Sequence, residues 1–353
     1  MQQDYVLDIL LYLFMNKIKT EPAKEESAFS DMYQKLKQLG FVYEKKEQIL
    51  LPLYKRVEEN WCRLFEKDGD LIHTTSLSRS QKELATCSSW KSSMSNWCIQ
   101  HGISNQIRLF LFAITRECNW LIGQSSIKYI QCWFQTQNAI MNKVCDLVKT
   151  EQNTGNYDIE VMDYLSWAPI GMDVNKQWHT CPYTSNKHTV LKNFIIQHKG
   201  PLFYDSEEIE SDPFLCTINH QYQEIGLERS RKIVLIHKED QLKAVVLLYK
   251  GPLGINFSFL ENRIEIIVDT NCQDDYNLVY SIGNLVHEMN SNSITGFTPI
   301  VTGHRFSEML ERNGAKILRQ YTRHIWTKDA MIVWLNMFIE KYSLFNWFNG
   351  CYE

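Results

Sequence analysis

The sequence predicts a mixed α/β protein of two domains, built on a largely antiparallel sheet flanked by helices. Its 353 residues give room for two domains of ordinary size. Apolar residues make up 44% and charged residues 22%, a globular composition that excludes a mainly disordered or collagen-like chain. In the second half, short apolar runs separated by tight turns alternate with helical patterns, which is typical of sequential strands packed against helices.

Charge and cysteine content exclude several classes of function. The chain has 37 Lys and Arg against 41 Asp and Glu, so no basic excess indicates bulk nucleic-acid binding. Its ten cysteines are irregularly spaced without a C-x-x-C pair, which argues against zinc-ribbon and thioredoxin motifs. We therefore expect free buried thiols in a reducing cytoplasm, no metal site and no nucleic-acid partner.

The apolar run at residues 6–15 predicts a docked amphipathic helix. It is shorter than the ~20 apolar residues that span a bilayer, and Asp8 interrupts it. A helix lying on a membrane surface is the alternative, but its polar face lacks a row of Lys and Arg. The expectation is a cytoplasmic protein without a membrane partner.

The first half alternates predicted helices and strands. Residues 71–76 and 83–90 predict two strands around a polar turn. Residues 107–115 (IRLFLFAIT) are almost continuously apolar, which favours a central strand. A helix at 138–149 and a period-two strand at 157–165 follow.

A domain boundary is expected near residue 205. Residues 205–212 hold five acids in eight positions and lie between Pro201 and Pro213. Boundaries favour such polar, proline-flanked stretches, so the predicted domains are 1–205 and 206–353. The preceding segment, 169–187, has no clear period and predicts a loop or crossover.

The second half has the clearer pattern. Strands at 232–237 and 242–249 flank a hairpin turn, and 257–260 and 263–269 are predicted as the next strand pair. The elements predicted after these are helices at 278–289, 304–313 and 330–342, and strands at 296–301 and 316–326. Gly314 follows the second of these helices, where a glycine ends the helix by taking a left-handed conformation.

This order of elements over residues 215–328 resembles the Gcn5-related N-acetyltransferase (GNAT) fold. The most specific local match is 306–316 (FSEMLERNGAK), which is similar to the helix–glycine–strand junction of that family. The first half is similar in outline. It is either a second domain of this fold, giving a tandem, or an unrelated α+β domain.

The resemblance implies an N-acyltransferase that uses acetyl-CoA or another acyl-CoA and acts on a small amine or peptide. On this basis Glu265 is the expected general base, and Tyr321 a proton donor in place of the family's Tyr, since Leu310 stands at that position. The expected cofactor-binding residues are Val268, Asp269, Tyr276, Asn277, Leu278 and Arg312.

Each of these assignments has an alternative. Glu265 lies among isoleucines, where desolvation would raise its pKa toward the working pH, but it could equally be a structural carboxylate paired with Arg263 or a lysine. Tyr321 could be an aromatic packing residue. Residues 270–278 (TNCQDDYNL) match the family's phosphate-binding loop but contain no glycine, and Asp274 and Asp275 would repel a pyrophosphate. These departures favour a second function, a non-catalytic binding or regulatory module with a degenerate coenzyme A site.

Overall fold

The computed structural model describes residues 28–67, 69–80, 83–146, 155–171, 173–291 and 298–341. Within these ranges the chain forms one mixed sheet of eleven strands with helices packed on both faces. This confirms the predicted fold class. The predicted helix at 6–15 lies outside the described residues.

The strands and helices are numbered in chain order. The strands are β1 (Ile72–Ser80), β2 (Glu83–Lys91), β3 (Asn96–Ser104), β4 (Tyr129–Gln135), β5 (Tyr157–Ser166), β6 (Trp178–Pro182), β7 (Ser230–Lys238), β8 (Gln241–Lys250), β9 (Ile264–Val268), β10 (Ile300–Thr302) and β11 (Lys316–Thr327). The helices are α1 (Ala28–Gln38), α2 (Glu44–Leu50), α3 (Tyr54–Phe65), α4 (Ile107–Gly123), α5 (Ala139–Cys145), α6 (His188–Lys199), α7 (Pro201–Ser206), α8 (Cys216–Gln223), α9 (Tyr276–Ser291), α10 (His304–Arg312) and α11 (Lys328–Lys341).

The sheet is mostly antiparallel. Its strand order is β1-β2-β3-β4-β11-β5-β10-β9-β8-β7-β6, and only the pairs β3–β4 and β9–β10 are parallel. Strands β7, β8 and β9 are adjacent, sequential and antiparallel, as the turns between them predict. Gly314 has a φ of +90°, which confirms the predicted left-handed glycine between α10 and β11.

The same run of elements occurs twice along the chain. Strands β1–β3 are followed by α4, β4, α5 and β5, and strands β7–β9 are followed by α9, β10, α10 and β11. The last strand of each run inserts into the other half, because β11 lies between β4 and β5 while β5 lies between β11 and β10. The two halves therefore share the centre of one sheet.

Apolar side chains fill both faces of this sheet. On one face, helices α1, α3 and α6–α8 cover both halves in a single cluster that includes Phe29, Trp61 and Tyr222. On the other face, α4, α5 and α11 cover the first half, and α9 and α10 cover the second. No helix of the described ranges combines the length and apolarity needed to cross a bilayer.

Three predictions about secondary structure are wrong. Residues 257–260, predicted as a strand paired with 263–269, form a turn that leads into a 3-10 helix at Leu260–Asn262. Residues 107–115 form the first half of helix α4 and not a strand. The helix packs against β1, β2, β3 and α11, so nearly every side of it is apolar and the period of 3.6 residues is hidden. Within the predicted loop 169–187, Trp178–Pro182 forms strand β6 and pairs with β7. The boundary near residue 205 stays a prediction.

Candidate active-site cleft

The parallel strands β3 and β4 separate partway along their length. Four register pairs join them, from Asn96 opposite Tyr129 to Ile99 opposite Cys132. Beyond the last pair, β3 continues to Ser104 and β4 to Gln135 without further pairing between them. This separation opens a gap in the sheet of the first half.

A β-bulge on β3 lies at the point of separation. Thr86 of β2 faces Ile103 and Ser88 faces Gln100, so His101 and Gly102 together face the single residue Cys87. His101 has a φ of +53°, which is uncommon for a residue other than glycine. A bulge leaves backbone groups of its extra residue without a ladder partner, and bulges are frequent beside active sites.

The His101 side chain fixes the bulge to a neighbouring loop. The Phe257 backbone N–H donates to His101 Nε2 at 3.4 Å, and His101 Nδ1 lies 3.0 Å from Ser88 Oγ. Burial, with a smaller contribution from the charge of Lys46, lowers the pKa of His101 to about 3. The ring is therefore neutral, and because Nε2 accepts a hydrogen bond, the proton is on Nδ1.

A cavity of about 820 Å³ occupies the gap, and residues from both faces of the sheet line it. Such a volume is typical of small-molecule sites. On the face covered by α4, α5 and α11, its walls are mostly apolar, with Phe110, Ile114 and Trp334 among the residues that line them. On the opposite face the lining is more polar. It includes Tyr43, Lys46, Asn256, Ser258 and Tyr321.

The N-terminus of helix α4 borders the same cavity. Ser104, Asn105 and Ile107 line it, and the N-cap residue Gln106 makes no side-chain capping hydrogen bond. The first turn of α4 has no acidic residue. Uncapped N–H groups and the positive end of a helix dipole favour an anionic ligand.

Tyr321 lies in the wall of this cavity, although it belongs to the second half. It is on β11, opposite Gln135 of β4. Its hydroxyl donates to Ser258 Oγ at 3.1 Å and accepts from Arg319 Nη1 at 3.5 Å. The insertion of β11 beside β4 therefore brings one of the predicted site residues to the first-half cleft.

Glu265 lies elsewhere, at the centre of a buried ion-pair network on β9. Its carboxylate accepts from Arg323 Nη1 at 3.0 Å and Arg263 Nε at 3.1 Å, and Lys199 Nζ lies 3.6 Å away. Burial alone would raise its pKa, but the charges of these cations outweigh burial and lower it to about 2. The expected rise in pKa is therefore wrong, because the sequence did not show that three cations converge on this carboxylate.

The six predicted cofactor-binding residues do not line the 820 Å³ cavity. Leu278 and Val268 are core residues, and Asp269 pairs with Lys243 Nζ at 3.2 Å. Asn277 Oδ1 accepts from the Asn175 backbone N–H at 3.3 Å, while Tyr276 and Arg312 are exposed. All but Arg312, which ends α10, lie around the equivalent place of the second half, where α9 begins after β9.

In the second-half parallel pair, a side-chain hydrogen bond crosses between the strands just beyond their last register pair. The register between β8 and β9 has no bulge. Strands β9 and β10 share two register pairs, and beyond them Thr302 Oγ1 donates across to the Ile266 carbonyl at 3.1 Å. Just before the N-terminus of α9, Asp274 pairs with Arg305 Nη2 at 2.7 Å.

Sequence reasoning missed most of the open cleft. Lys46, His101 and Ser258 come from three distant segments that only the fold brings together. The one local signal for the cleft is Gly102, which comes five residues before the start of helix α4. The prediction of a strand at 107–115 left no helix start at that place.

Comparisons with known proteins give structural neighbours only. No family model matches the chain, and no curated protein matches it. A Drosophila protein of known structure is 10% identical, with a TM-score of 0.45 over 87% of this chain and 97% of that one. A GCN5-related N-acetyltransferase from Sphaerobacter thermophilus is 9% identical, with a TM-score of 0.38 over 71% of this chain and 82% of its own.

A tandem GNAT protein from the clavulanic acid biosynthesis pathway is 6% identical, with a TM-score of 0.39 over 77% of this chain and 88% of that chain. Most of the similar structures are GNAT acetyltransferases, the family that the sequence resembles.

Proposed function

We propose that the chain is an acyl-CoA-dependent N-acyltransferase that acts on a small amine or peptide in the cleft between β3 and β4. The observation that carries this proposal is the cavity of about 820 Å³ where the two strands separate, which is lined by residues from both faces of the sheet. Two substrates that approach from opposite faces of the sheet would meet in such a gap, which is the geometry that a direct transfer between them needs.

The residues around the apolar side of the cleft fit acyl-CoA, acetyl-CoA included. The uncapped N-terminus of α4, which begins at Ile107 and carries Arg108 in its first turn, would hold phosphate groups. The bulge at His101 and Gly102 offers backbone groups for the amides of the coenzyme. When bound, this group supplies an activated thioester.

The polar side of the cleft supplies groups that hold or move protons. The Tyr321 hydroxyl lies in the cavity and is a candidate donor for the leaving thiolate, with Arg319 and Ser258 fixing its position. His101 is neutral and both its ring nitrogens are engaged, so we assign it the role of a positioning residue for the bulge and for the loop that carries Ser258.

A second candidate function for the chain is a non-catalytic GNAT-like binding or regulatory module with a degenerate coenzyme A site. It is favoured by the pairing of Glu265 with three cations, by the Thr302 hydrogen bond across the β9–β10 gap and by the acids before α9. In the enzyme proposal, by contrast, the first half of the tandem, divided from the second near residue 205, holds the reaction. The second half contributes Tyr321 on β11 to it.

The test is equilibrium binding of coenzyme A to the purified chain, followed by thiol release from acetyl-CoA and longer acyl-CoA with a panel of amines and peptides. We expect saturable binding and turnover with at least one acceptor. Binding without turnover would support a regulatory module for the whole chain, and a chain that neither binds nor turns over contradicts the enzyme proposal.

A further inference from the structure

Lys46 is a buried cation that lines the polar side of the cleft. It lies on α2, only 9% of it is exposed, and its Nζ is 4.0 Å from the centroid of the Phe41 ring. Among the residues that the structure describes, no carboxylate is within 4.0 Å of this Nζ and no hydrogen bond satisfies it. Lys46 therefore reaches the cleft as a largely buried ammonium without a carboxylate partner, which favours an anionic ligand there.

A second cation lies beside it. Arg319 of β11 donates from Nη2 to the Tyr43 hydroxyl at 3.2 Å and from Nη1 to the Tyr321 hydroxyl at 3.5 Å. It too pairs with no carboxylate in the described ranges. Burial, reinforced by the charge of Arg319, lowers the pKa of Lys46 to about 7.

Two acids of neighbouring segments are engaged elsewhere or uncharged. Glu47, the residue after Lys46, pairs with Lys37 Nζ at 2.5 Å. Glu261, in the turn that precedes β9, accepts from the Gly254 N–H at 3.0 Å, and burial raises its pKa to about 8, so it is protonated at neutral pH. The polar side of the cleft therefore has an excess of positive charge.

We propose that Lys46 binds a carboxylate of the acceptor, which makes the acceptor an amino acid or a similarly small amine that carries a carboxylate. This rests on the proposed acyl transfer, because it assigns the acceptor to the polar side of the same cavity. Tyr43 and Tyr321 also line the polar side of the cavity. Their hydroxyl oxygens accept hydrogen bonds from Arg319, so their O–H groups point away from that cation.

Binding of an anion should also charge Lys46 fully. The titratable groups that face it are Arg319 on β11, His101 on β3 and Tyr43 before α2. Between pH 7 and 9 His101 stays neutral and Arg319 stays charged, while Lys46 loses its proton and with it one positive charge of the cleft. Affinity for a carboxylate should fall up to about tenfold per pH unit as Lys46 loses its proton.

The experiment compares alanine with alaninamide as acceptors, for wild type, Lys46→Met, Lys46→Arg and a control at the exposed Lys55, Lys55→Met. Wild type and Lys55→Met should prefer alanine. Lys46→Met should lose about 10- to 100-fold in kcat/KM for alanine and little for alaninamide, and Lys46→Arg should recover part of the preference.

A second measurement keeps this inference separate from the enzyme proposal. Titration of the chain with N-acetylalanine, without coenzyme A, should show binding that weakens from pH 7 to 9 in wild type and is weak and independent of pH in Lys46→Met. Equal turnover of alanine and alaninamide by wild type would overturn the inference while acyl transfer stands. If no amine is turned over, failure of N-acetylalanine to bind would overturn it as well.

Discussion

Ile99 of β3 and Cys132 of β4 form the last register pair of the first-half parallel strands, and the cavity begins where they end. In the second half, Glu265 and Val301 hold the corresponding position, and Thr302 bridges to Ile266 just beyond. The first gap holds a cavity of about 820 Å³, and the second is crossed by a side-chain hydrogen bond. This difference is why we place the reaction in the first half.

Tyr321→Phe should abolish most acyl transfer. If the hydroxyl protonates the leaving thiolate, its removal costs about 10²- to 10⁴-fold in kcat. The matched control is Tyr164→Phe, because Tyr164 packs against Tyr321 and donates to the Ser258 carbonyl at 2.8 Å but does not line the cavity. Thiol release under saturating acceptor measures both, and similar rates for the two variants would remove Tyr321 from the mechanism.

Glu265→Gln should strongly destabilise the fold, while the folded protein keeps most of its acyl-transfer activity. Removing one partner from a buried ion pair leaves an uncompensated charge, which costs about 3–5 kcal/mol. In this variant the uncompensated charges are those of Arg323 and Arg263. Chemical denaturation measures this, with Glu228→Gln as control because its pair with Lys250 is exposed. A stable Glu265→Gln protein that loses its activity would instead restore Glu265 as the general base.

Glu261 should make the protein less stable as pH rises through neutrality. An ordinary glutamate in the unfolded chain has a pKa of about 4.3, whereas burial raises that of folded Glu261 to about 8. Between these values the folded state keeps a proton that the unfolded state releases. The free energy of unfolding therefore falls by about 1.4 kcal/mol per pH unit from this group alone.

The comparison is between wild type and Glu261→Gln, by urea denaturation at pH 5.5, 6.5 and 7.5. The variant should lose this slope, and identical slopes in the two proteins would show that Glu261 is ionised in the folded state.

Short local sequence signals were sufficient to predict strands β7, β8, β9 and β11 of the second half. The turn after β7 and the glycine after α10 are signals of a few residues, and each depends on contacts close in sequence. The buried helix α4 was not predicted because a continuous apolar run suits a central strand and a buried helix equally. Its length of 17 residues, which favours a helix, became clear only when the residues after 115 were included.

The exchange of β5 and β11 between the halves has no local signal at all. Tyr321 and Gln135 become neighbours across the sheet although they are far apart in sequence. The three cations around Glu265 likewise come from α6, β11 and the residue before β9. A pKa or a cleft built from such distant residues requires the folded chain.

The most direct test of the central claim, that the first-half cleft binds acyl-CoA, is coenzyme A affinity in two matched variants. Ile107 is the first residue of α4 and 53% exposed, and Tyr276 is the first residue of α9 and 54% exposed. A glutamate at either position suits the helix dipole, so both variants should fold, but it repels a phosphate at that terminus.

We predict that Ile107→Glu weakens coenzyme A binding by about threefold to tenfold or more, while Tyr276→Glu leaves it unchanged. The opposite result, with affinity lost only in Tyr276→Glu, would contradict the account and place the coenzyme in the second half.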